Sequence, residues 1–130
     1  MNSIRNYSIL SHIFEYCIQI SNTQKRFGDS LEQFLLDKDY QQSIMMSLIQ
    51  IGELSIILTK DFKLKYNEIP WRSVKHLRNI AVHGYGKLEF DVVWKTIKED
   101  IPVLKSFCQE IMIKLKKINP EDKPSSTPRP

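Results

Sequence analysis

The amino-acid sequence predicts an all-α domain, an antiparallel four-helix-type bundle with short extra helices. Two observations favour this class: the 130 residues contain only four glycines, and long stretches lack both Gly and Pro. The apolar content of 42% is enough for a single core. A β-sandwich or β-barrel would need frequent turns. A chain of this length forms one domain. We therefore expect one folded unit, residues 1–119, followed by a disordered proline-rich tail, residues 120–130.

Apolar residues that recur at three- and four-residue steps indicate where the helices lie. The main helices are expected over residues 4–22, 39–59, 70–83 and 90–118. We expect the polar stretch 21–30 to break the chain after the first helix, and Ser30 to cap a short helix. Residues 60–70 show no clear period, and residues 84–91 are expected to form a loop. Pro102 should kink or split the fourth helix, because a proline lacks the N–H that a helix interior needs.

Composition narrows the functional class only slightly. The chain has 19 basic and 15 acidic residues, and its net charge of +4 is compatible with an anionic partner without requiring one. Cys17 and Cys108 lie in apolar helical patterns outside any C-x-x-C pair, so we expect buried free thiols and no disulfide or zinc site. Trp71 and Trp94 are expected in the core. No signal peptide or membrane span is recognised, which predicts a cytoplasmic protein.

The third helix and the residues after it, RNIAVHGYG at 78–86, hold the side chains most capable of chemistry. Pro70 suits the first position of this helix, and Gly84 suits the residue that ends it. Four polar side chains share one face on a helical wheel: Arg72, His76, Asn79 and His83. Arg78 lies about 140° from His83, nearer the apolar face. The two meet only if the stem of Arg78 runs along apolar surface or the helix unwinds before Gly84.

Arg78 and His83 together favour chemistry on a phosphate. Arginine is planar, always charged and able to hold a phosphate through two hydrogen bonds, and histidine is matched to proton transfer near neutral pH. Asn79 beside them can fix the imidazole tautomer or hold a phosphate oxygen. Without clustered carboxylates, this set suits metal-independent RNA cleavage, in which the 2′-hydroxyl attacks its own phosphodiester. One chain has one such histidine, so a two-fold dimer would supply both a base and an acid.

The same residues resemble the R-x-x-x-x-H motif of the HEPN superfamily, which Arg78 begins and His83 ends. The polar Asn79 directly after the arginine is typical of that motif. With Tyr85 the pattern extends to R-x-x-x-x-H-x-Y, which is similar to the HepT toxin branch. The flanking blocks agree in order and spacing: IGEL at 51–54, IPWRSVKHLRN at 69–79 and VVWKTIKEDIPVLK at 92–105. The resemblance covers residues 5–118.

The resemblance implies a helical bundle that forms a homodimer, with the motif helices of both subunits lining a shared cleft. It implies a metal-independent endoribonuclease without a cofactor, which acts as the toxin of a toxin–antitoxin pair. It further implies a partner antitoxin, a minimal nucleotidyltransferase of the MntA type that transfers AMP to Tyr85. The motif leaves one alternative open, a HEPN dimer that binds RNA or nucleotide as the partner of a nucleotidyltransferase and cleaves nothing.

Three further side chains are candidates for supporting roles. Glu53 on the second long helix can orient Arg78 across the bundle, provided that it is buried and faces the third helix. Arg72 and His76 either bind the RNA backbone or belong to an ordinary solvated face. In a purely structural bundle, the whole polar stripe of the third helix would be solvated and Tyr85 would pack over the helix end.

Overall fold

The structure, a computed structural model, describes the backbone of residues 2–83 and 87–118 and the side chains of residues 4–79 and 90–116. Every regular element within these ranges is helical, which confirms the predicted all-α class. The elements are α1 (Asn2–Phe27), α2 (Leu31–Leu36), α3 (Lys38–Ile57), α4 (Lys60–Lys65), α5 (Trp71–His83), α6 (Lys87–Lys95), a π-helical turn (Thr96–Asp100) and α7 (Ile101–Ile118). The predicted tail, residues 120–130, lies outside the described ranges.

The long helices α1 and α3 pack side by side and run antiparallel. Near the start of α1, the side chain of Asn6 donates to the Thr59 hydroxyl at 3.0 Å and accepts from the Thr59 N–H at 3.2 Å. Near the end of α1, the hydroxyls of Thr23 and Ser43 lie 3.1 Å apart. Because the start of one helix meets the end of the other at both places, these polar contacts fix the direction as well as the register.

The bundle is completed by α5, which packs on α3, and by α7, which packs on α1. The direction of α7 is again antiparallel to α1, since the Lys116 ammonium near its end lies 5.9 Å from the ring of Tyr7. The predicted antiparallel bundle is therefore confirmed. Among the helices that the structure describes, none is both long and apolar enough to cross a membrane.

The core follows the apolar stripes that the sequence predicts. Buried side chains from all four long helices form one continuous cluster, which includes Ile13, Ile20, Ile44, Leu48, Ile51, Val74, Leu77, Leu104 and Ile111. Trp71 and Trp94 both pack against this cluster, as expected. The indole N–H of Trp71 donates to the backbone carbonyl of Tyr66 at 3.0 Å, so its polar atom is satisfied at the core boundary.

The end of α1 differs from the prediction. Residues 21–27, expected as a polar break, form the last two turns of α1. Most of these residues are polar, but one side of this part of the helix is buried. Thr23 is buried, and the ring of Phe27 stacks on that of Tyr40 with centroids 5.1 Å apart. The helix stops at Gly28, whose φ of 111° suits glycine and marks the turn where it was predicted. As predicted, Ser30 caps α2 by accepting the N–H of Gln33 at 3.1 Å.

Two short helices were not predicted at their positions. Residues 60–65, which show no clear period, form α4, where the Thr59 hydroxyl accepts the N–H of a buried Phe62 at 3.3 Å. Residues 87–91, expected as a loop, belong to α6. Contacts with other helices select the helical state in these segments, as the edge-to-face packing of Phe90 on Phe34 at 5.6 Å illustrates.

The two prolines that border helices act as expected, with small shifts. The predicted fourth helix is split just before Pro102 by the π-helical turn, which ends with the N–H of Ile101 donating to the carbonyl of Thr96. Pro102 thus lies in the first turn of α7, directly after the change from π-helical to α-helical hydrogen bonding. The carbonyl of Pro70 accepts the N–H of Val74 at 3.0 Å, so Pro70 lies one residue before α5, not at its first position.

The two cysteines are buried free thiols, as predicted. Burial raises the pKa of Cys17 to about 12, although the charge of Lys105 opposes this shift. Burial also raises the pKa of Cys108, and the neighbouring Cys17 adds to the effect. Both side chains therefore act as small apolar groups between α1 and α7 and lack the thiolate character that a reactive cysteine needs.

Gly52 lies in α3 at the point where α5 crosses it. A Cβ atom added to Gly52 would lie 2.8 Å from the Cβ of Arg78, 2.9 Å from its backbone nitrogen and 3.2 Å from the carbonyl oxygen of Lys75. These distances are shorter than the roughly 3.5–4.0 Å at which carbon atoms normally pack. The absence of a side chain at Gly52 therefore sets how closely α5 approaches α3.

We predict that Gly52→Ala destabilises the protein. Alanine is favoured over glycine in a helix by about 1 kcal/mol, whereas overpacking a close contact costs about 1–3 kcal/mol. The obstructing atoms belong to the Cβ and backbone of α5 and cannot rotate away, so overpacking should prevail. We expect the free energy of unfolding to fall by about 1 kcal/mol in urea denaturation followed by circular dichroism.

The matched control is Gln42→Ala, on the exposed side of the same helix. This variant should change the free energy of unfolding by less than about 0.5 kcal/mol. A Gly52→Ala protein as stable as the wild type would mean that α5 can move away from α3 without penalty.

Candidate active site

Helix α5 has the two faces that the helical wheel predicts. Its apolar face contributes Val74 and Leu77 to the core, each only 7% exposed. Its opposite face exposes Arg72, His76 and Asn79. Three of the four polar side chains predicted to share this face therefore do so, and the side chain of the fourth, His83, lies outside the described residues.

Arg78 emerges between these two faces, at the edge where α5 borders α3. Its side chain is 32% exposed, so part of the stem is covered while the guanidinium reaches the surface. The guanidinium Nη1 lies 3.5 Å from Oε2 of Glu53 on α3. This placement agrees with the first of the two expected arrangements, in which the stem runs along apolar surface.

Glu53 faces α5 and contacts Arg78, but it is not buried. Its side chain is 52% exposed, so the burial expected for an orienting carboxylate is absent. Solvent screens such a pair, and its contribution to stability is small. A guanidinium has five N–H donors, so a single contact through Nη1 restricts the orientation of Arg78 and leaves donors for a second anion.

The residue that sequence reasoning missed is Gly52, directly before Glu53. It allows the backbone of α5 to lie against α3 at the level of Arg78, and so it determines where the guanidinium leaves the surface. The signal was present in the sequence, because a glycine in the interior of a strongly periodic helix is unfavourable unless a close contact requires it.

Asn79 contacts a different histidine from the one expected. Its Nδ2 lies 3.5 Å from Nδ1 of His76, one turn earlier on the same exposed face. The direct contact predicted between Asn79 and His83 involves a side chain outside the described residues. The predicted meeting of Arg78 with His83 involves the same side chain. Tyr85 lies wholly outside the described residues. These three parts of the candidate site stay predictions.

Among the described side chains, the group that this helix edge offers for chemistry is the guanidinium of Arg78, a cation on an accessible surface. Within the side chains that the structure describes, no group of three or more His, Cys, Asp or Glu residues could hold a metal ion. His12 lies on the exposed side of α1, where its Nδ1 is 3.8 Å from Oε1 of Glu15.

A cavity of about 260 Å³ lies on the other side of α5, between this helix and α7. Its walls are mostly apolar and include Val74, Leu77, Ile101 and Leu104. Because these side chains belong to the core face of α5, the cavity does not adjoin the exposed stripe that carries Arg72, His76 and Asn79. Among the described side chains, Arg78 lies at an open helix edge, away from this cavity.

Comparison with known proteins identifies relatives of the chain. A Thermococcus cleftensis protein named "Probable ribonuclease HepT" is 45% identical over 74 residues, which cover 57% of this chain and 67% of that protein. A Caldanaerobacter subterraneus protein provisionally named an RNase is 32% identical over 107 residues, which cover 82% of this chain and 94% of that protein. No solved structure matches the chain.

The family model described as Ribonuclease HepT-like matches residues 9–111. The match extends from α1 into α7 and includes the whole segment from Arg78 to Tyr85. It thus covers most of the chain and contains both the candidate motif and the helices that support it. The resemblance noted in the sequence is confirmed, and the chain belongs to the HepT-like ribonuclease family.

Proposed function

We propose that this protein is a metal-independent endoribonuclease and the toxin of a toxin–antitoxin pair. The observation that carries the proposal is the placement of Arg78, which Gly52 and Glu53 hold at an accessible helix edge five residues before His83. An arginine that meets the histidines of two subunits would supply the charge stabilisation, the base and the acid needed to cleave RNA through its own 2′-hydroxyl. The RNase names of the relatives support RNA cleavage as the activity.

In the proposed reaction, Arg78 binds the non-bridging oxygens of the scissile phosphate. One His83 takes the proton of the 2′-hydroxyl, and the 2′-oxygen forms a bond to phosphorus. The bond from phosphorus to the 5′-oxygen breaks, and that oxygen takes a proton from a second, protonated histidine. The products are a 2′,3′-cyclic phosphate and a free 5′-hydroxyl. Asn79 and Glu53 are supporting residues that orient the histidine and the arginine.

We predict cleavage of labelled RNA in EDTA by the unmodified protein, with 2′,3′-cyclic phosphate at the new ends. His83→Ala and Arg78→Ala should each lose at least about 100-fold in rate, the usual contribution of an acid–base or charge-stabilising group. His12→Ala is the matched control because it removes an exposed histidine from α1, and it should leave the rate unchanged.

Full activity of His83→Ala would overturn the proposed mechanism. Wild-type protein that binds RNA without cleaving it, with Tyr85 shown to be unmodified by mass spectrometry, would favour the non-catalytic binding module.

The second histidine in this mechanism comes from a second copy of the chain. The outer side of α3 carries the exposed Met46, Ile56 and Ile57, the partly exposed Ile49 and the carboxylate of Glu53, and we call these five residues the α3 outer stripe. Met46 is 57% exposed and Ile57 is 46% exposed. Large contiguous apolar surfaces usually mark interfaces. A second copy seated here would cover this stripe and bring both Arg78 residues to one cleft, because Glu53 on the stripe contacts Arg78.

We expect Met46→Glu to convert a dimer into a monomer and to abolish cleavage, because a buried charge without a partner is strongly unfavourable in an interface. Light scattering coupled to size exclusion measures the mass of the particle, and circular dichroism checks the fold. Ile113→Glu, which places the same charge at a half-exposed apolar position of α7, should remain dimeric and active. A wild-type monomer, or an active dimer of Met46→Glu, would contradict this arrangement.

The proposed partner is an MntA-like nucleotidyltransferase that transfers AMP to the hydroxyl of Tyr85. Each AMP joined through a phosphodiester adds a negative charge and a bulky nucleotide two residues from His83. Both effects oppose the approach of an RNA backbone to the motif. Modification would thereby silence the toxin without unfolding it.

We predict that the partner and ATP add AMP to the wild type but not to Tyr85→Phe, as intact-protein mass spectrometry would reveal. The modified wild type should lose RNA binding while its thermal melt stays unchanged. Tyr7→Phe, which removes a hydroxyl from α1, is the control and should still accept AMP. Modification of Tyr85→Phe, or unchanged RNA affinity after modification, would contradict this part of the proposal.

A further inference from the structure

One segment of the bundle has a clear excess of positive charge. Residues 60–79, which span α4, its connection to α5 and the part of α5 whose side chains are described, contain six Lys or Arg and two Asp or Glu. This excess of four equals the net charge of the whole chain, so the remaining residues carry equal numbers of the two signs. Basic residues clustered along neighbouring helices are a feature of surfaces that bind a polyanion.

Within this region, Lys75 lies next to Arg78 on the surface. The two residues are three apart on α5 and therefore neighbours on the same side of the helix, within one turn of about 5.4 Å. The carbonyl of Lys75 and the backbone nitrogen of Arg78 both approach Gly52, so the same contact with α3 fixes both. Lys75 is exposed, and its ammonium is free to reach a ligand.

Lys63 on α4 extends this row. It is partly buried, and burial, followed by the nearby charge of Lys75, lowers its pKa. The geometry places the two lysines on neighbouring helix ends, because the ring centroid of Phe62, next to Lys63, lies 6.1 Å from that of Trp71, one turn before Lys75. Among the described residues, neither of them forms an ion pair with a carboxylate, in contrast to Arg78 with Glu53. Close like charges without a counter-ion are unfavourable, and an anion bound between them would relieve the repulsion.

We propose that Lys63 and Lys75 bind the backbone phosphates of the RNA strand next to the phosphate held by Arg78. This inference rests on the proposed ribonuclease function. It adds a path for the RNA strand, which would run from the motif at the end of α5 towards α4. Lysine suits this task, because its long stem carries a compact charge that follows a mobile backbone without selecting a sequence. Lys63 and Lys75 would set the affinity for RNA, while Arg78 and His83 set the rate of the chemical step.

The test is RNA binding by Lys63→Gln/Lys75→Gln, made in a His83→Ala protein so that the RNA stays intact. The probe is a fluorescein-labelled single-stranded RNA of mixed sequence, followed by anisotropy at several salt concentrations. Each phosphate contact on a single strand contributes about 0.7 to the slope of log affinity against log salt. Loss of two contacts should therefore reduce the slope by about 1.4. In the protein with His83 intact, the same change should raise KM for RNA and leave kcat nearly unchanged.

Two controls make the result specific. Lys25→Gln/Lys114→Gln removes the same charge from exposed positions of α1 and α7, and its slope should match the parent. Lys63→Arg/Lys75→Arg keeps the charge and should restore the slope. Equal slopes for the Gln pair and the parent would overturn the proposed path while the ribonuclease function stands. A His83→Ala protein that binds no RNA, from a wild type that cleaves none, would overturn both.

Discussion

The close approach of α5 to α3 at Gly52 is the constraint on which the arrangement of the surface depends. A helix normally keeps its neighbour at a distance set by the side chains between them. At Gly52 that spacer is missing, and the Cβ of Arg78 occupies the space. The contact places the guanidinium at the edge between two helices, within reach of Glu53, and puts Lys75 one turn away on the same side. A single missing side chain thus positions three charged groups.

The rest of the bundle provides the support that makes such a contact specific. Hydrogen bonds at both ends of the α1–α3 pair prevent the two helices from sliding along each other. They join Asn6 to Thr59 and Thr23 to Ser43. Buried polar groups of this kind are costly unless satisfied, so they favour one register over its alternatives. Because α3 is held in this register, its inner face packs into the core. Its outer stripe stays at the surface beside Arg78, where a second copy is proposed to bind.

The proposed division of labour follows the charge distribution. Arg78 has a counter-ion in Glu53, which restricts its orientation, and this suits a group that must meet a phosphate in one geometry. Lys63 and Lys75 have no such partner among the described residues, and this suits groups that attract a strand without orienting it. The surface formed by α4 and α5 therefore combines an arginine of restricted orientation with two lysines that would attract the strand without orienting it. This combination is expected of a surface that both binds and cleaves a polyanion.

The sequence by itself determined what depends on neighbours along the chain. Helical periodicity identified the four long helices, their core stripes, the buried thiols and the two faces of α5, because each follows from a repeat of about 3.6 residues. The chemistry of the side chains singled out Arg78 and His83 as candidates, and the resemblance to the R-x-x-x-x-H motif supported that choice. Tertiary structure decided the rest: the last turns of α1, the short helices α4 and α6, the contact of Glu53 with Arg78, and the packing of Phe62 in α4 on Trp71 in α5. These features depend on which surfaces meet across the bundle, and no local pattern encodes the distance between residues on different helices.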